Sequence, residues 1–140
     1  MKKNWTIIVI FILFQANLFA EDNKFFSKGK NFFETKKYDE AKFQFEKDIV
    51  FNPKSEKSYL YLAKIYKKKE LIDLEENNLN TVILLNPKNE EAIYNLTLVN
   101  LKKSDFKGAK ELINDFKKNC KNLCSKLKTL NTKLENSLKK

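Results

Sequence analysis

Residues 24–53 read KFFSKGKNFFETKKYDEAKFQFEKDIVFNP, and the same chemistry returns twice at a spacing of 34 residues. Pro53 matches Pro87, each preceded by Asn. Phe25 falls on Tyr59 and Ile93, Tyr38 on Ile72 and Phe106, Phe45 on Leu79 and Ile113. Gly29, Ala63 and Thr97 keep one position small or nearly so. A fixed period of this length marks stacked supersecondary units, none of which can bury its apolar face alone.

Each unit reads as two amphipathic helices. The apolar residues Phe25, Phe26, Phe32 and Phe33 occupy two faces of one helix, which therefore needs cover on two sides. A second helix is predicted over 39–51, with Ala41, Phe43, Phe45 and Ile49 inward. Pro53 ends it, because Pro cannot continue a helix and disfavours helix in the residue before it. Ser55 and Asn89 are N-cap types, followed by Glu56 and by Glu90 and Glu91, where acids suit the positive end of the helix dipole. The next first helices are predicted at 56–69 and 90–103, with partners at 73–85 and 106–119. Beyond them Leu123, Leu127, Leu130, Leu134 and Leu138 form one apolar stripe on a polar helix. The stripe spans barely two heptads, which favours a helix capping the last unit over a dimerising coiled coil.

This pattern is similar to the tetratricopeptide repeat. Phe25, Gly29, Phe32, Tyr38, Ala41, Phe45 and Pro53 match in the first unit. Tyr59, Leu62, Ala63, Tyr66, Leu79 and Pro87 match in the second, and Ile93, Leu96, Phe106, Ala109, Ile113 and Phe116 in the third. The resemblance implies an all-α fold, a right-handed α-solenoid of three helix-turn-helix repeats plus a C-terminal capping helix. Repeats are expected at about 22–55, 56–89 and 90–123, with the cap over 124–140. Three departures stand out. Glu75 occupies the second unit's small position, so that helix pair is expected either to loosen or to hand its packing to Leu74. Asn100 replaces an aromatic, and Lys121 replaces the closing Pro.

The chain starts with a short basic segment, Met1–Asn4, followed by the apolar run WTIIVIFILF over 5–14 and by Ala20 before Glu21. That is the layout of a secretory signal peptide over 1–20, with cleavage expected after Ala20. The alternative is an uncleaved anchor, although a spanning helix wants roughly 20 mostly apolar residues. Either way the protein is expected to be exported, in the periplasm or associated with the cell envelope. In an oxidising compartment Cys120 and Cys124, the two cysteines of the chain, are expected to form a disulfide. A redox-active pair is the alternative; its CxxxC spacing departs from CxxC. Zinc would lack ligands.

Composition narrows the function. The formal net charge is +10, and all 28 basic residues are Lys. Without Arg, bidentate contacts to phosphate and guanine are missing, so no nucleic-acid partner is expected. There is no His, hence no Ser-His or Cys-His pair, and no Gly-rich phosphate loop. No enzyme activity, cofactor or metal is expected.

Surface remains. In the family it resembles, the first helices line a concave groove that holds peptides. The corresponding outward residues are Phe26, Lys30 and Phe33, then Leu60, Lys64 and Lys67, then Tyr94, Leu98 and Leu101. The bland reading of the apolar members is extra packing between repeats. If they are exposed, Lys64 and Lys67 favour an acidic segment or a C-terminal carboxylate. The family's carboxylate clamp is not matched, because Phe26 and Lys30 stand where it needs Lys and Asn. The expected function is thus a protein-protein interaction module binding a peptide or protein partner. The alternative is a basic protein held on a membrane surface or envelope polymer by its lysines, through electrostatics or an uncleaved anchor.

Overall fold

A computed structural model describes residues 24–139. The predicted signal peptide lies outside the described residues. Within them the chain is all-α, a solenoid of helix-turn-helix repeats. Seven helices are seen: α1 (24–34), α2 (Tyr38–Phe51), α3 (Glu56–Lys68), α4 (Ile72–Leu85), α5 (Glu90–Lys102), α6 (Phe106–Asn119) and α7 (Lys126–Leu138). Their contacts fall into two groups, one up to Ser58 and one from Tyr59 on, which are taken in turn.

In the first group α1 packs on α2 at a point where only glycine fits. A Cβ on Gly29 would lie 2.8 Å from the fully buried Phe45 ring. Phe26 tilts against the same ring at 5.8 Å, Phe25 stacks on Phe51 at 5.3 Å, and Phe33 meets Tyr38 edge-on at 5.5 Å. Two expectations are corrected here. Phe43 faces out, at 54% exposure, because the inward stripe of α2 runs through Ala41, Gln44, Phe45 and Asp48. Ser55 does not cap α3 with its hydroxyl. The Ser55 and Ser58 hydroxyls both donate to buried Asp48, supplying the partners that a buried carboxylate needs.

In the second group one cluster holds Leu60, Ala63, Leu79, Val82, Ala92, Leu96 and Val99, from α3, α4 and α5. Another joins Ile93, Ile113, Phe116 and Leu130, from α5, α6 and α7, with Tyr94, Leu98, Leu123, Leu127 and Leu134 packed around it. The leucine stripe thus lays α7 on α5 and α6, as a cap does. Leu138, 61% exposed, falls off its end. Asn89 caps α5 as expected, its side chain accepting from the Ala92 N–H at 2.8 Å.

The period reappears in the backbone. Lys36, Glu70 and Ser104, 34 residues apart, all have φ near +60°. Each follows a first helix and closes it with the same pair of bonds. Lys37 N–H reaches the Phe32 carbonyl and Lys36 N–H that of Phe33. Leu71 and Glu70 repeat this to Tyr66 and Lys67, and Asp105 and Ser104 repeat it to Asn100 and Leu101. This is the paired-bond helix stop that usually recruits glycine.

The tail is fastened by two further devices. Cys120 and Cys124 form a disulfide, with Cα atoms 5.2 Å apart. The Glu90 carboxylate, at the start of α5, accepts from the N–H groups of Asn122 (3.0 Å) and Leu123 (2.7 Å). Those bonds, the one from Leu123 foremost, hold its pKa below the ordinary carboxylate value. A lowered folded-state pKa stabilises above the unfolded value, and the gain disappears as pH falls through the folded one. Glu90→Gln is therefore expected to be less stable than the wild type near pH 7, with the gap closing as pH falls below the ordinary carboxylate value and through the lowered one. Urea titrations of both proteins from pH 7 to 3 check this; a gap independent of pH would refute it.

Candidate functional site

The predicted groove residues part company in the structure. Phe26, Lys30 and Phe33 stay on α1, where Phe26 and Phe33 are half-buried by their ring contacts and Lys30 pairs with Glu34 at 3.7 Å. Leu60 is a core residue, 9% exposed, because α3 turns it toward Leu79 and Ala63. Tyr94 and Leu98 pack in part against the cluster that seats α7, and both stay half-buried. Lys64 is paired with Glu91 at 2.9 Å, and Lys67 donates to the Asn95 side chain at 2.8 Å. Those two lysines are therefore already engaged within the chain.

What remains open is a cleft of about 600 Å³ at the other end of α5. Its apolar surface comes from Ile72 at the start of α4 and from Leu98, Val99 and Leu101 on α5. Lys67 and Glu70 contribute from the end of α3 and its turn, Lys102 from α5, and Lys133, Asn136 and Ser137 from α7. Three predicted residues, Lys67, Leu98 and Leu101, line it. Sequence reading missed the wall supplied by α7, since the tail's polar face carries no signal of what it will oppose. Beside the cleft, Lys103 bonds Glu76 at 2.6 Å and Asp73 at 3.0 Å, which ties α5 to α4 and raises the lysine pKa through those bonds.

Glu75 also lines the cleft. Leu74 does not take over the packing at this position, since it stays 42% exposed, whereas Glu75 itself is only 8% exposed. It stands 34 residues after Ala41 and 34 before Ala109, both fully buried. Burial raises its pKa, and the Lys67 and Lys102 charges only partly offset that.

No protein-family model matches the sequence, and no curated protein does. Solved structures do. The first TPR of Spaghetti (RPAP3), bound to the HSP90 peptide SRMEEVD, superposes with a TM-score of 0.75 at 19% identity, over 85% of this chain and 94% of that one. The TPR2B domain of yeast Sti1, in an Hsp70 complex, gives 0.73 at 14% identity, over 86% and 98%. The Yersinia enterocolitica type III secretion chaperone SycD, with a peptide of the translocator YopD, gives 0.68 at 17%, over 84% and 88%. This chain has the tetratricopeptide-repeat fold. Among the described residues no group of His, Cys, Asp or Glu could hold a metal ion, and no helix is long and apolar enough to cross a membrane.

Proposed function

We propose that this protein is a non-enzymatic interaction module of the cell envelope that grips an extended segment of a partner protein in the cleft between α3, α4, α5 and α7. The observation that carries the reading is the cleft itself: an apolar floor from Ile72, Val99 and Leu101, with the exposed Lys102 and Lys133 at its rim. A concave, mostly apolar site with a few placed polar groups is what a bound segment needs. The rim lysines favour carboxylates flanking that segment. Lys64, held by Glu91, is not part of the reading. The peptide complexes of similarly folded domains lend it support. Export is supported by the basic and apolar N-terminal residues 1–20 and by the Cys120–Cys124 bond, which an oxidising compartment preserves.

The test is a crosslinked pull-down from an envelope extract with wild type and with Leu101→Trp/Lys133→Glu. Trp at 101 fills the cleft, and Glu at 133 reverses its rim. A partner retained by wild type and lost by the variant, at unchanged helicity and melting temperature, is the expected outcome. Equal capture by both, or material that washes off both in salt, would shift the function to the lysine-rich exterior.

A further inference from the structure

We infer that the first repeat rests on an anionic lipid surface, with Phe43, Val50 and Phe51 entering the headgroup layer and the lysines beside them meeting lipid phosphates. This surface shares no residue with the cleft and adds a second contact to the protein. It lies on α2, where Phe43, Lys47, Val50 and Phe51 follow one another at i, i+4, i+7 and i+8 and so share one face. The helix buries Ala41, Gln44, Phe45 and Asp48 on its other side. Val50 and Phe51, 73% and 66% exposed, join the exposed Phe43 outside. Phe25, at the start of α1, stacks on Phe51 at 5.3 Å. The Lys47 ammonium lies over the Phe43 ring at 4.8 Å and over the Phe25 ring at 5.6 Å. Single exposed apolar side chains are ordinary, but a cluster of them marks a contact surface.

Charge and chain connection say what covers it. Lys24 and Lys28 flank Phe25 on α1, and Lys54 stands in the turn just after Phe51; all three are exposed. The acids of α2 are elsewhere or paired. Asp39 and Glu40 belong to its first turn, at the far end of the helix from Phe51, and Glu46 is paired with Lys42 at 2.9 Å. A second copy on this face would bring the same lysines against one another, which is unfavourable. A lipid interface takes both components together: rings below the headgroups, and ammonium groups at the phosphates on stems that run up beside the rings. Lysine electrostatics alone is what composition suggests; the exposed face of α2 supplies the apolar half. The chain also leads there. The apolar run 5–14 joins α1 through residues 15–24, which span at most about 36 Å. Wherever that run is held in a bilayer, the Phe25 end of the repeat stays close to the bilayer surface.

The test attaches a nitroxide to Val50→Cys in the oxidised full chain and compares its accessibility to oxygen and to a water-soluble nickel chelate. The vesicles are equimolar phosphatidylglycerol and phosphatidylcholine, with pure phosphatidylcholine beside them. On the anionic vesicles the label is expected to gain oxygen contact and lose nickel contact, at unchanged helicity. Adding Phe43→Ser and Phe51→Ser is expected to return it to water although residues 1–20 are still present. Lys47→Gln/Lys54→Gln is expected to lower the docked-to-free ratio roughly 30-fold, about fivefold per lysine. A label that stays in water with vesicles overturns the inference, as does immersion that the two serines leave unchanged, since the N-terminal run alone would then explain it. Equal immersion on pure phosphatidylcholine overturns the part assigned to the lysines. A label shielded from nickel before any lipid is added also overturns it. Shielding that grows with protein concentration assigns the face to a second copy, and shielding independent of concentration assigns it to residues 1–23 of the same chain.

Discussion

Replacing Phe116 by Ala is expected to cost about 3–5 kcal/mol, as truncations of fully buried aromatic residues do. Phe116 has no exposed surface and sits where α5, α6 and α7 meet, with Ile93, Ile113 and Leu130 around it and the Tyr94 ring 6.3 Å away. Three helices cannot all close on the hole that Ala leaves. A domain of this size has about 5–15 kcal/mol of stability in total, so the loss is a large fraction of it. Urea denaturation checks the value. A loss below about 1 kcal/mol, at unchanged slope, would mean that the cluster collapses freely and is not close-packed.

Leu130→Asp is expected to release the tail. Leu130 is the one fully buried residue of α7, and Asp there puts a charge into the apolar cluster without a partner. A 13-residue helix is marginal by itself in water, so α7 should melt once undocked. Circular dichroism should lose roughly one helix of seven, and amide exchange over 126–138 should accelerate to that of an open chain. The disulfide closes only residues 120–124, so it cannot hold α7 down. Because Lys133, Asn136 and Ser137 form one wall of the cleft, binding should weaken together with the helix. Protected amides over 126–138 in the variant would show that the other leucines suffice to seat the tail.

The sequence by itself determined the repeat. Apolar size classes at a spacing of 34 residues, Asn-Pro stops at 52–53 and 86–87, and small residues at 29, 63 and 97 were enough to place every helix to within one or two residues. Those signals are local or periodic, and periodicity survives without knowing which face meets which. The left-handed stops at Lys36, Glu70 and Ser104 escaped notice because none is the glycine or asparagine that normally announces such a turn. The hydroxyl donors of Asp48 were equally silent, since a Ser ahead of a helix looks like a cap until its hydroxyl is seen to turn elsewhere. The tertiary structure alone decided which outward residues are open. Tyr94 packs against the cluster of α5, α6 and α7, Leu98 stays half-buried at the cleft, α3 draws Leu60 inward, and Glu91 and Asn95 engage Lys64 and Lys67. It also placed Glu75 in the cleft wall. Exposure and pairing depend on contacts between residues far apart in the chain, and a pattern read along one helix cannot say what will stand opposite it.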